Sequence, residues 1–357
     1  MNQEEFKKEL AEILKKNLYE RDKEVEISFR TVEKMNQTYE AITITPSGNN
    51  VGINMNLEAF ENAYRSGTSF QQIADKITDQ VEEHLSNMPV FDVSQITDYE
   101  KMKEKLAMEV VAFDRNTELL SKVPHKQIED MAVVYRFVVD TQGEERGTIL
   151  ITNHLLEKMQ ITKEQLQEDA LKNAPQLRPV VLKGMSEMMV ELMGEEFQEL
   201  MGEQDLPQDE KMYVATVPDR VSGAGVLAYQ EFMDEAAQKL GGDFFILPSS
   251  IHEILLVKDD GNANFKDLKA MVEEVNATQV LPEEKLTDSV YHYDSKEHIF
   301  ELAEKFESRK KGLEKQEKPK AKESVLEDLV KKKDEIARHP VKKEVEKVGK
   351  EKGGDFL

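Results

Sequence analysis

Apolar positions in residues 6–18 recur at the helical interval, with Phe6, Leu10, Ile13, Leu14 and Leu18 on one face. The interval then shortens to two. EVEISFRTV (24–32) and TYEAITITP (38–46) read as strands, and residues 48–50 turn the chain into a third, VGINM (51–55). Leu57, Phe60 and Tyr64 predict a short helix ending near Gly67. A longer amphipathic helix follows on Phe70, Ile73, Ala74, Ile77, Val81 and Leu85, with Thr68 and Gln71 as its capping box.

A similar order returns about a hundred residues on. Tyr99, Met102, Leu106 and Val110 read as a helical stripe. MAVVYRFVV (131–139) and RGTILIT (146–152) read as strands joined by a polar turn around Gly143. Asn153 caps a short helix through Met159, and Thr162 with Gln165 caps one carrying Leu166 and Ala170. INMNLEAFENAY and ILITNHLLEKMQ share a pattern. It fits a diverged repeat of a helix-strands-helix-helix unit, and equally two independent uses of a common α+β order. Residues 173–179 hold two prolines and read as a connector. Met185, Met188, Met189, Leu192 and Met193 lie at helical spacing in an acidic run (184–204), as in a helix that packs its thioethers into a core.

The remainder alternates quickly. Residues 212–217 and 225–229 read as strands, and Phe232, Met233, Ala236, Ala237 and Leu240 as a helix stopped by Gly241-Gly242. DFFILPS (243–249) and HEILLVK (252–258) read as a strand pair. A turn (259–264) leads to a helix on Phe265, Leu268, Met271 and Val272. VYHY (290–293) is a strand, and Ser295 caps a helix through Ile299, Leu302 and Phe306. Short strand pairs alternating with helices place the chain in the α+β class, with small antiparallel sheets covered by helices. The expected organisation is an N-terminal α+β module (1–90), a central α+β region (91–307) and a basic tail (308–357). In that tail Ser324 and Glu327 cap a short helix bearing Val325, Leu329 and Ile336, a stripe suited to a partner's groove.

Charge sharpens the division. The 357 residues carry a net charge of −23, yet residues 308–357 hold 16 Lys and Arg against 11 Asp and Glu. An acidic body therefore carries a basic tail, and the body repels nucleic-acid phosphates. A surface imitating DNA is the sharper reading of the same acidity, and solubility the plainer one. The absence of cysteine excludes disulfides, iron–sulfur clusters, thiolate zinc sites and thiol nucleophiles, and fits a cytoplasmic protein. The charged N-terminus has no apolar signal core, and no segment reaches the ~18 apolar residues of a membrane span.

Candidate chemistry is sparse. No HExxH or phosphate-loop pattern occurs. His154 with Glu157, and His292 with His298, are pairs of ligand types but not of ligand number. Asp260, Asn262 and Asn264 start like a calcium loop that Phe265 and Met271 then break. No metal or cofactor is implied. Gly223, Gly225 and Ala228 satisfy G-x-G-x-x-A, but VLAY reads as strand and favours a hairpin turn over a dinucleotide site. Ser249, Ser250, His252 and Glu253 crowd into LPSSIHE, which holds the residue types of acyl transfer. Neighbours on a strand alternate faces, so a hydrogen-bonded serine turn is the alternative there.

EDMAVVYRFVVD (129–140), ITKEQLQEDALKNAP (161–175) and above all LGGDFFILPSSIHE (240–253) carry a resemblance to the YtpQ-like family of uncharacterised bacterial proteins. The segment 130–295 resembles still more closely that family's relatives in gut bacteria, many of them encoded beside mobile genetic elements. The resemblance implies a soluble intracellular bacterial protein and supplies no activity, cofactor or catalytic residue. The function expected is that of a non-enzymatic, cytoplasmic module binding another protein. The alternatives are a hydrolase centred on residues 249–253 and an acidic decoy for DNA-binding proteins.

Overall fold

The computed structural model describes residues 2–49, 52–86, 96–140, 146–193, 210–229 and 231–313. These fall into two compact units, one of residues 2–105 and 136–160, the other of 106–135 and 161–313.

The first unit begins with α1 (Gln3–Glu20). Asn2 Oδ1 accepts the Glu5 N–H at 2.9 Å while the Glu5 carboxylate accepts the Asn2 N–H at 3.0 Å, a reciprocal cap. β1 (Val25–Lys34) pairs antiparallel with β2 (Gln37–Pro46) in unbroken register, and β2 pairs with β3 (Ile53–Asn56). Asn56 caps α2 (Leu57–Arg65). The cap of α3 (Phe70–Ser86) is Ser69 with Gln72, one residue beyond the expected Thr68 and Gln71, because the helix itself begins at Phe70. The stripes of α1 and α3 bury Leu10, Leu14, Ile73 and Ile77 with Ile42 and Ile44 of the sheet. Asn17 to Asp75 (3.1 Å), with Arg21 to Asp79 (2.8 Å) and Glu82 (2.6 Å), ties the two helices along their rim.

α4 (Tyr99–Met102) is all that forms of the next expected helical stripe. Leu106 and Val110 belong to β4 (Leu106–Ala112), every residue of which is buried. A strand covered on both faces has no polar alternation, so its apolar spacing reads equally as helix. After α5 (Thr117–Lys122), β5 (His125–Ile128) pairs with the first half of β6 (Met131–Asp140), which lies between β4 and β5. The second half of β6 belongs to the first unit and pairs with β7 (Arg146–Leu150). α6 (Asn153–Met159) is capped by Thr152, whose Oγ1 accepts the Leu155 N–H at 3.1 Å, and not by Asn153.

The second unit resumes with α7 (Lys163–Leu177), capped by Thr162 as expected. The helix runs through most of the stretch read as connector. Pro175 sits in its last turn, where the missing N–H forfeits a single ladder bond, and Ala170 and Ala174 continue the buried stripe. β8 (Val181–Gly184) leads to α8 (Met185–Met193), which buries Met188. Residues 194–204 of the methionine run lie outside the described residues. β9 (Met212–Thr216) is followed not by a strand at 225–229 but by a 3-10 helix, Gly223–Ala228. Its apolar run is enclosed, so no alternation distinguishes it. Its glycines permit close packing. A Cβ on Gly225 would overlap the Met108 carbonyl oxygen of β4, and one on Gly223 the His252 carbonyl oxygen.

α9 (Phe232–Leu240) ends at Gly241, left-handed at φ +82°. β10 (Phe244–Leu247), β11 (Ile254–Lys258), α10 (Phe265–Thr278), β12 (Tyr291–Asp294), β13 (Ile299–Leu302) and α11 (Ala303–Leu313) complete the unit. Six strands form an antiparallel sheet in the order β13-β12-β10-β11-β9-β8. Phe245, Leu247 and Val257 of the sheet pack with Leu268 and Val272 of α10. The helix expected from Ser295 is instead a turn and β13, because residues 299–302 find the open edge of β12. The helical stripe starts only at Ala303. It then passes the composition change after Phe306 and runs to Leu313, with Arg309 ion-paired to Asp294 (3.0 Å) and Glu301 (2.7 Å). The whole is an α+β protein with small antiparallel sheets. Val325, Leu329 and Ile336 lie outside the described residues.

Candidate functional site

Within the second unit, a cavity of about 290 Å³ opens between the β4–β6 strands, α7, the 3-10 helix, α9 and the β12–β13 hairpin. Its floor is apolar: Met108, Val133, Leu171, Leu227, Met233 and Phe300. Polar groups come from Lys126, Tyr135, Gln167, Tyr229, Asp234, Tyr293 and His298. A largely apolar concavity with a few placed polar groups is the usual form of a small-molecule site, and this one is at the lower end of the size range.

The rim is built by the β12–β13 turn. Asp294 Oδ1 accepts the N–H groups of Lys296 and Glu297, each at 3.1 Å, and Asp243 holds both the N–H and the hydroxyl of Ser295. The turn closes on His298, whose backbone is left-handed at φ +55°, an uncommon conformation for a residue with a side chain. His298 Nδ1 lies 2.7 Å from Asp234 Oδ1, and the Tyr293 hydroxyl donates to the same oxygen at 2.5 Å. These two bonds, the tyrosine's first, hold the Asp234 carboxyl below its ordinary value. Burial, then the Asp234 hydrogen bond and charge, push the Tyr293 phenol up.

Deeper in, the Tyr229 hydroxyl donates to the Arg178 carbonyl at 2.9 Å, pinning the end of α7, and burial raises that phenol to about 12. Tyr135 differs. Its side chain is 0% exposed and its hydroxyl has no hydrogen-bond partner. Burial alone pushes the phenol to about 12, so it stays protonated and able to donate. The side chains of Lys126 and Gln167, also lining the cavity, make no hydrogen bond or ion pair among the described residues.

LPSSIHE lies elsewhere, between β10 and β11. Ser249 and Ser250 are half-buried and Glu253 is exposed. Ser250 Oγ accepts the backbone N–H of His252 at 3.0 Å, not a bond from its ring. The His252 ring is held at both nitrogens: Nδ1 accepts the Ser222 N–H at 3.2 Å and Nε2 faces Glu284 at 3.2 Å. Its carbonyl accepts the Thr216 hydroxyl at 2.8 Å. The loop it fastens has two left-handed residues, Arg220 (φ +54°) and Ser222 (φ +50°), and is held on its other side by the buried Arg178 through Asp219 at 2.8 Å. The residues crowded together in sequence thus reach different partners, and the carboxylate at His252 is Glu284 rather than Glu253.

His292 and His298 take separate carboxylates, Asp259 and Asp234. Asp260 accepts the Asn262 N–H in a local turn, and Asn264 caps α10. Among the described residues no group of three or more His, Asp or Glu is placed to hold a metal ion, and no helix is long and apolar enough to cross a membrane. Sequence reasoning missed Lys126, Tyr135, Gln167, Asp234 and Tyr293. The one local signal was a lone hydroxyl inside the apolar run MAVVYRFVV.

No curated protein and no solved structure matches the chain. Residues 3–295 match DUF5688, a family of unknown function, and the chain belongs to that family.

Proposed function

We propose that the second unit is a non-catalytic binding module whose cleft, walled by Tyr135, takes a small, largely apolar molecule. The observation that carries this reading is the Tyr135 hydroxyl, buried at the cavity wall without a partner. Leaving a buried hydroxyl unsatisfied costs about 1–3 kcal/mol, an expense that a bound polar group offsets. The His298 backbone at the rim adds support, since sparsely populated conformations gather at functional sites. A hydrolase at residues 249–253 draws less support, because both His252 ring nitrogens are already engaged.

Membership of a bacterial, YtpQ-like group encoded near mobile elements, and a cytoplasmic location, belong to the same proposal. They rest on LGGDFFILPSSIHE and on the absence of cysteine. The test is a titration of full-length, methyl-labelled protein with a panel of small aromatic and aliphatic fragments. The Met108 and Met233 methyl resonances should shift, and Leu227→Trp, which fills the cleft, should abolish the shifts while the remaining spectrum is preserved. A panel that leaves both methyls unmoved at millimolar concentration overturns the reading.

A further inference from the structure

We infer that the cleft selects a monocarboxylate of about ten non-hydrogen atoms, the carboxylate carried on an apolar body. The inference rests on the cleft being a binding site and names the class of molecule it takes. The polar groups divide into those already committed and those still open. Tyr229 donates to the Arg178 carbonyl. Tyr293 and His298 both engage Asp234, so the rim carboxylate is matched by protein groups. The open groups are the Lys126 ammonium, the Gln167 amide and the Tyr135 hydroxyl. An ammonium is donor-only with three hydrogens, an amide adds two, and a protonated phenol adds one. The uncommitted capacity is therefore weighted towards donors and carries one positive charge.

Its complement is an acceptor-only group of single negative charge. A carboxylate offers two oxygens with about four lone-pair sites, enough to accept from an ammonium, an amide and a hydroxyl together. A dianionic phosphate would bring a second charge that no open cation meets, beside Asp234 and in a body of strongly acidic composition. An ammonium ligand would face Lys126 and would have to displace His298 or Tyr293 from Asp234. Size follows from the cavity: about 290 Å³ equals roughly ten water volumes. The Met, Leu, Val and Phe side chains of the floor then take the apolar body.

The experiment uses four probes of one shape on the full-length protein: 3-phenylpropionate, 3-phenylpropanamide, 3-phenylpropanol and 3-phenylpropylamine. Affinities are read by calorimetry at neutral pH, and the site of binding by the Met108 and Met233 methyl resonances. The carboxylate is expected to bind at least tenfold tighter than the amide or alcohol, with the amine weakest. Lys126→Met, at an exposed position, should erase that ratio, and Tyr135→Phe should weaken the carboxylate several-fold. Equal affinities for carboxylate and alcohol, a preference for the amine, or a ratio unchanged in Lys126→Met overturns the carboxylate inference and leaves the cleft reading standing. Four probes that all leave both methyls unmoved overturn the cleft reading, and this inference with it.

Discussion

The imidazole of His292 lies flat on the phenyl ring of Phe306, with centroids 3.5 Å apart and planes 10° from parallel. His292 is 0% exposed on β12, and its Nε2 faces Asp259 at 3.1 Å while Nδ1 is buried without a partner. Phe306 also meets Phe245 edge-on and carries the Arg309 guanidinium over its ring. One side chain of α11 thus covers the polar element of the sheet. Phe306→Ala should cost about 3–5 kcal/mol in denaturant unfolding, since it opens a cavity and exposes a hydrogen-bonded histidine. Phe306→Leu should recover most of that loss. A Phe306→Ala loss below 1 kcal/mol would show that α11 contributes little to the unit.

The same corner sets the acid limit. Burial would raise the Asp259 carboxyl, but the hydrogen bonds from His292 and the Gly261 N–H, with the nearby positive charges, hold it below its ordinary value. Asp288 and Asp294 are held low in the same way by Asn276 and Lys285, and by the 296–297 turn and Arg309. A carboxyl lowered by folding contributes stability that is complete above its unfolded value near 4, and that is lost as pH falls through the folded value. Stability should therefore be level from about pH 7 to 5 and decline below about pH 4. Asp259→Asn should flatten that decline. An unchanged acid limb in this variant would relocate the linkage to other carboxyls.

How far the chain could be read in advance depends on what each element faces. α1 and β1–β2 were legible because each has a covered and a wet side, so that Leu10 and Leu14, or Val25, Ile27 and Phe29, return at the period of their geometry. β4 and the 3-10 helix at Gly223 were not, because both are enclosed and every residue of β4 is apolar or buried in spite of its charge, as Glu109 is. β13 was lost for another reason. Ile299 and Leu302 stand three apart, and only pairing with β12 decides between strand and helix. The cleft was illegible at any local scale. Tyr135 and His298 are separated by more than 160 residues, and no spacing rule connects the two.

His252 is expected to act as a fastener. It joins three segments, through Thr216, Ser222 and Glu284, beside a loop with two left-handed residues. His252→Ala removes the ring bonds and leaves the Ser222 N–H and the Glu284 carboxylate without that partner. A loss of about 1–3 kcal/mol is expected, together with faster amide exchange at residues 219–223. Ser250→Ala, which removes only a bond to a backbone N–H, should cost less. Hydrolysis of an ester panel by the parent protein that disappears equally in both variants would instead establish a catalytic serine–histidine pair.

The tyrosines give the last prediction, because burial raises the phenols of four of them in different hydrogen-bonding situations. Burial raises Tyr135 and Tyr229 to about 12. Tyr291 and Tyr293 go higher, since burial is joined there by the Asp130 and Asp234 carboxylates that their hydroxyls face. A phenol raised above its unfolded value near 10 contributes stability that is complete below pH ~10 and lost as pH climbs towards the folded value. In a titration followed at 295 nm, these four should ionise only well above pH 10, together with the loss of far-ultraviolet ellipticity. Substitutions then separate the partnered hydroxyls from the unpartnered one. Tyr291→Phe leaves Asp130 to Thr287 and Ser289 alone and should cost about 1–3 kcal/mol. Tyr135→Phe deletes a hydroxyl that bonds to nothing, so it should be neutral or stabilising in the free protein. A clear destabilisation by Tyr135→Phe would mean that this hydroxyl already has a partner, and would remove the observation on which the cleft reading stands.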